Sequence, residues 1–126
     1  MLDSRVTAMG AFRAQVEIEG AAVGRLERVE ALVDTGATYT WVPRDLLERL
    51  GVQPEEERPF VLADGRQVTY GIAWVRVWID GRSQPTIAVF GEPGSDPLLG
   101  VFTLEGFGLD ADPVNRRLVP VPALLK

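Results

Sequence analysis

At 126 residues, 46% hydrophobic and 25% charged, the chain is long enough to bury a core and too short for two lobes of ordinary size, so one domain over residues 1–126 is expected. A net charge of −5 with no clustered basic footprint, Arg116-Arg117 being only a pair, argues against a nucleic-acid partner. The lack of cysteine and histidine excludes disulfides and the usual Ser-His-Asp, Cys-His and zinc hydrolases, leaving carboxylates, hydroxyls, Lys126 and the arginines for any chemistry. The opening residues, Met1-Leu2-Asp3-Ser4-Arg5, have no apolar stretch fit for a signal peptide, and no window approaches a membrane span. A cytoplasmic location without membrane partners is therefore the default expectation.

From residue 11 to 18 apolar and polar residues alternate, with Phe12, Ala14, Val16 and Ile18 on one face and Arg13, Gln15 and Glu17 on the other. This is the period of a half-buried strand. Residues 20–24 supply a turn, and a second strand, 26–33, runs toward Asp34. Thr40-Trp41-Val42 reads as a short strand. Pro43 then opens a helix at its first position, with Leu46, Leu47 and Leu50 at helical spacing up to Gly51. Pro54 and the run Glu55-Glu56-Glu57 are expected to form a solvated loop. Phe60-Val61-Leu62 and Gln67-Val68-Thr69-Tyr70 flank Ala63-Asp64-Gly65-Arg66, a hairpin signal, since Asp-Gly tolerates the positive φ angles of tight turns. Strands follow at 72–79, which ends on a second Asp-Gly at Asp80-Gly81, and at 86–90. A Gly/Pro-rich loop, 91–97, leads to Leu98-Leu99-Gly100, then come an apolar stretch at 101–107, a turn at 112–115 and a closing strand at 116–121. The pattern predicts a mostly-β domain that closes on itself, with one or two short helices and no internal repeat.

The segment Ala31-Leu32-Val33-Asp34-Thr35-Gly36-Ala37 carries the most chemistry. A strand end seldom delivers an unpaired carboxylate, which costs several kcal/mol when buried, unless the group is used. Taken alone, Asp-Thr-Gly reads first as a turn capped by its own aspartate, and only the wider pattern around it reverses that order. The motif occurs once, so a chemistry needing two carboxylates would borrow the second from another copy of the chain. Asp64 and Asp80 read as hairpin residues and Asp96, before Pro97, as a turn residue, so none of them counts as that second acid. Trp41, Trp74 and Trp78 lie on predicted strands and read as core or interface residues.

The motif at the end of an apolar strand, the hairpin at Asp64-Gly65, and Leu98-Leu99-Gly100 followed by a short helix occur in the order and approximate spacing of the retropepsin-like aspartic proteases. The chain resembles that family over most of its length. The resemblance implies a closed retropepsin-like (acid protease) β-barrel, one lobe per chain. It also implies a homodimer in which Asp34 and its symmetry mate hold one water on a two-fold axis and hydrolyse a peptide or unfolded protein without metal or cofactor. Two carboxylates in contact cannot both ionise cheaply; they share a proton, so one serves as base and the other as acid, with apparent pKa values that belong to the pair.

On this resemblance Thr35 would hydrogen-bond across the axis, Gly36 would let backbone approach substrate, and Ala37 would leave room beside the dyad. Residues 61–69 would form a flap, with Leu62, Ala63, Asp64, Gly65 and Arg66 over the substrate. Leu98, Leu99 and Gly100 would pack behind the catalytic loop, with Leu98 also lining a side-chain pocket, and Trp41 falls where the family builds substrate pockets. The chain ends, residues 5–10 and 118–125, would supply interface through Val119, Val121, Leu124 and Leu125. Viral members commonly pair an Asp after the motif's Ala with an Arg after the late Gly. Here those residues are Thr38 and Val101, and the flap tip is Ala63-Asp64-Gly65-Arg66 rather than the glycine-rich tip of the viral members. Together with a fuller helix at 43–50, these departures indicate a cellular or prokaryotic single-domain branch. The alternative reading is a dimeric module with the protease fold that binds a peptide or protein with little or no catalysis; a dimerisation domain with an idle cleft ranks third.

Overall fold

Alternation in the sequence becomes alternation across a sheet. The computed structural model describes residues 12–20, 22 and 24–122. Strands β1 (Arg13–Glu19) and β2 (Leu26–Val33) form an antiparallel hairpin, Arg13 facing Leu32 and Glu19 facing Leu26. Phe12, Val16 and Ile18 are buried and Arg13 and Gln15 exposed, as the period of two requires. After a loop come β3 (Thr40–Pro43) and helix α1 (Arg44–Arg49). Pro43 does not start the helix. It ends β3 at ψ 136° and occupies the N-cap, where its missing N–H costs nothing.

Helix α1 buries Leu46 and Leu47 and stops in a Schellman turn. Gly51, at φ 77°, donates its N–H to the Glu48 carbonyl, and Val52 donates to Leu47. Val52 is buried, the apolar contact that usually accompanies this turn.

The acidic run is not a loop throughout: Glu56 opens β4 (Glu56–Val61). The carboxylates stay exposed because β4 is the outer strand of the sheet, and the Glu55 carboxylate accepts the Trp74 backbone N–H at 3.0 Å. The separate strands expected at 67–70 and 72–79 are one strand, β5 (Gln67–Ile79). Gly71 is not a break but a point of close approach, where a Cβ would lie 2.9 Å from the Pro54 Cβ. At the turn, Asp80 (φ 50°) and Gly81 (φ 76°) reverse the chain. The partner strand β6 (Arg82–Gly91) therefore starts at once, with Ile79 facing Arg82, rather than at Thr86. Then come β7 (Leu98–Leu99), helix α2 (Val101–Phe107) and a separate hairpin, β8 (Leu109–Asp112) with β9 (Arg117–Pro120).

The large sheet runs β1-β2-β7-β3-β6-β5-β4, and β1 pairs with β5 as well, so the pairings form a ring from which β4 stands out. The chain is thus mostly β. Ile18, Val42, Leu47, Val77 and Leu99 are each at most 1% exposed at the centre of one hydrophobic cluster. Burying each stabilises the fold by about 1.5–3 kcal/mol. Among the described residues no helix is long and apolar enough to cross a membrane. Of the expected interface segments, residues 5–10 and 123–125 lie outside the described residues. Within β9, Leu118 packs against the core, while Val121 beyond it is 41% exposed.

Candidate active site

The loop from Asp34 to Tyr39 joins two strands that do not pair with each other. Strand β7 lies between them, parallel to β2 and antiparallel to β3. Loop and β7–α2 segment are therefore forced into contact, and main-chain groups use it. The Asp34 N–H donates to the Leu99 carbonyl at 3.1 Å, Val101 N–H to Ala37 at 2.9 Å, and Phe102 N–H to Thr38 at 2.9 Å. The last two donors are the first amides of α2, which no residue inside a helix can satisfy. Gly100 is the N-cap of α2 and brings no side chain to do so. The loop backbone caps the helix instead. Gly100 is also sterically required, because a Cβ there would sit 2.5 Å from the Tyr39 carbonyl carbon and 2.9 Å from the Thr38 oxygen.

Thr38 and Val101, the positions of the viral charged pair, thus meet the opposite segment through their backbones. Beneath them lies a chain of hydroxyls that the sequence reading missed. The Gly100 N–H donates to Thr40 Oγ1 at 3.1 Å, Thr40 is hydrogen-bonded to Thr103, and Thr103 to Thr86 at 2.7 Å. All three threonines are at most 2% exposed. The available signal was threonine at apolar-facing positions of predicted strands and helix, since a buried hydroxyl must find a partner.

Asp34 itself is half-buried. Its Oδ1 accepts the Gly36 N–H at 3.0 Å, and its carbonyl accepts the Ala37 N–H at 3.1 Å, closing the loop into a tight turn. A Cβ at Gly36 would come within 3.2 Å of that carboxylate oxygen. Glycine keeps the approach open. Thr35 is exposed.

Two residues past Asp34 begins a groove of about 270 Å³. One side is Gly36, Ala37, Thr38 and Tyr39; the other is Phe60, Val61 and Leu62 from the β4–β5 hairpin; Trp41, Tyr70, Val89 and Leu98 form the rest. Among the described residues, no ionisable side chain other than the two tyrosines lines it. Of the expected residues, the structure gathers Gly36, Ala37, Thr38, Trp41, Leu62 and Leu98 here. Leu99 and Gly100 are buried and tied to the loop, and Asp34 and Thr35 lie beside the groove rather than in its lining. Ala63, Asp64, Gly65 and Arg66 form the exposed hairpin tip and do not line it. Tyr39, Phe60, Tyr70 and Val89 are lining residues not anticipated.

Aromatic rings give the groove its walls. Trp41 meets Tyr70 edge-on at 5.0 Å, Tyr70 lies 6.1 Å from Phe60, and Tyr39 meets Phe60 at 6.3 Å and Phe102 at 5.9 Å. The Trp41 ring lies on Gly91, and its Nε1–H donates to Ser95 Oγ at 2.8 Å. Burial pushes the Tyr70 hydroxyl up, and the Glu92 charge adds to the effect. Trp74 does not join the core: it is 53% exposed, next to Phe102. Trp78 donates its indole N–H to the Glu19 carboxylate at 2.9 Å.

The hairpin tip is fastened to itself. Leu62 and Arg66 pair through the Leu62 N–H, Gly65 takes φ 89°, and its N–H returns to the Leu62 carbonyl. Asp64 accepts the Arg66 backbone N–H at 3.0 Å and the Arg66 Nε–H at 2.8 Å. These bonds hold the Asp64 carboxyl below the usual carboxylate range. Asp80 is a turn residue, and Asp96 is tied to Arg13 at 3.1 Å. Among the described residues no group of three or more acidic side chains could hold a metal ion.

No curated protein sequence matches the chain. Among solved structures, the chain is similar to the solution structure of the simian foamy virus (mac) protease, with a TM-score of 0.55 and 22% identity over 74% of this chain and 91% of that one. The likeness is one of fold, and it is retropepsin-like. The aspartyl protease family model matches residues 14–102, a span that takes in Asp34, the β4–β5 hairpin, Gly100 and the start of α2. The chain therefore belongs to the aspartyl protease family.

Proposed function

We propose that this protein is an aspartic endopeptidase that works as a homodimer of single-domain chains, each contributing one lobe and one Asp34. One carboxylate of the pair takes a proton from a shared water as that water attacks the scissile carbonyl carbon. The other, protonated, donates to the carbonyl oxygen, and collapse of the tetrahedral adduct with protonation of the amine completes hydrolysis. Thr35 and Gly36 position the loop, and the β4–β5 hairpin serves as the flap. The observation that carries this reading is the placement of Asp34. It stands on a loop fixed by main-chain bonds to Leu99, Val101 and Phe102, beside a groove that no acidic or basic side chain lines among the described residues. An uncharged groove with aromatic walls favours extended peptides bearing large apolar side chains.

The test is cleavage of an unfolded protein at mildly acid pH by the purified chain and by Asp34→Asn, with dimerisation followed by sedimentation. The parent is expected to cleave, and the variant to form the same dimer without cleaving. Turnover that persists in Asp34→Asn would sink the mechanism. Peptide binding that survives the substitution, with no turnover by the parent at any pH, would support a binding module instead.

A further inference from the structure

The hydroxyl chain beneath the loop has a consequence for the reaction. Thr40 lies on β3, Thr86 on β6 and Thr103 on α2, so three elements meet at three side-chain oxygens. The chain ends on the Gly100 amide, and the preceding residue, Leu99, holds the Asp34 amide through its carbonyl. The Gly100 N–H and the Leu99 carbonyl belong to one planar peptide unit, so holding the N–H on Thr40 also orients the carbonyl that receives the Asp34 N–H. Thr103 is the middle member: loss of its hydroxyl leaves both Thr40 and Thr86 short of a partner in a site at most 2% exposed.

We propose that Thr103 is a positioning residue for Asp34. Its hydroxyl holds Thr40, Thr40 holds the Gly100 amide, and the Leu99 carbonyl is thereby kept where it fixes the Asp34 backbone. The idea rests on the reading of Asp34 as the catalytic carboxylate. It goes beyond that reading by assigning a part in the reaction to a buried residue that touches no substrate.

The experiment compares Thr103→Val, which keeps the shape and removes the hydroxyl, with Thr103→Ser, which restores it. Small misplacements of a reacting group cost rate rather than affinity, so Thr103→Val is expected to lower kcat about tenfold with KM changed less than about twofold. Thr103→Ser should recover most of that loss. Amide hydrogen exchange at Asp34 and Gly100 should quicken in Thr103→Val, with the amides of β5 unchanged. If Thr103→Val does not fold, Thr86→Val decides. It removes only the far hydroxyl and should lower kcat by about threefold. Parental kcat in a folded Thr103→Val, or Thr103→Ser as impaired as Thr103→Val, overturns the proposal. Absence of cleavage by the parent defeats the protease reading instead, and exchange at the Asp34 and Gly100 amides then decides the positioning role alone: unchanged exchange overturns it.

Discussion

Gly100→Ala tests the contact between the Asp34 loop and α2 most directly. The added methyl would lie 2.5 and 2.6 Å from the carbonyl carbon and oxygen of Tyr39 and 2.9 Å from the Thr38 oxygen. All three are backbone atoms, so no side chain can swing away, and the loop and β7 must separate by several tenths of an ångström. Overpacking of this kind costs about 1–3 kcal/mol. The separation also strains the bonds Asp34–Leu99, Ala37–Val101, Thr38–Phe102 and Thr40–Gly100, which lie across the same contact. Losing one of them brings the expected destabilisation to about 2–4 kcal/mol. With an unfolding entropy near 2.1 cal/mol/K per residue, Tm should fall by about 8–15 °C. Urea denaturation followed by tryptophan fluorescence measures the difference. The control is Gly106→Ala in the same helix, where a Cβ meets nothing within 4 Å. There the better helix former should stabilise by about 0.5–1 kcal/mol. A Gly100→Ala protein within about 0.5 kcal/mol of the parent refutes the argument, since that is the range of an unconstrained surface change.

Thr38→Ala should leave stability within about 0.5 kcal/mol of the parent, because Thr38 is exposed and its contribution to the loop is its carbonyl; urea titration alongside Gly100→Ala checks this. Acid should weaken the fold through its hairpin ends. Glu19 accepts the Gly24 N–H and the Trp78 indole, Asp64 the Arg66 N–H and side chain, and Asp112 the Asn115 side chain and N–H, and each carboxyl is held below its ordinary value. A depressed folded value means the stabilisation is complete above the unfolded value, about pH 4, and is lost as pH falls through the folded one. The urea midpoint should therefore drop on acidification below about pH 4, and one that rises there contradicts the assignment.

Local chemistry made much of the fold readable. The period of two across Phe12, Val16 and Ile18, the Asp-Gly turns at 64–65 and 80–81, and Leu46, Leu47 and Leu50 closed by Gly51 each depend on neighbours a few residues apart. What the sequence hid depends on distant partners. Gly71 looks like a strand break until Pro54 is seen against it, and the insertion of β7 between β2 and β3 leaves no periodic trace. The site divides in the same way. Asp34 and its loop, the hairpin and Leu98-Leu99-Gly100 were legible as motifs. The aromatic walls and the threonine chain were not, because Thr40 and Thr103 lie 63 residues apart and neither is unusual alone.

The missing charged pair is where the two kinds of information meet. Replacing Asp and Arg by Thr38 and Val101 looks like the loss of a brace if bracing is assigned to side chains. An exposed ion pair contributes only about 0–1 kcal/mol, and a buried one loses much of its attraction to desolvation. The first amides of α2 must be satisfied whatever the side chains are. The loop carbonyls of Ala37 and Thr38 already satisfy them, and Thr40, backed by Thr103 and Thr86, secures the Gly100 amide beside them. The tie between the motif loop and α2 is therefore written in backbone and hydroxyl groups. Its sensitive positions are Gly100, where any Cβ intrudes, and Thr103, where the hydroxyls join, rather than the two positions that family comparison would single out.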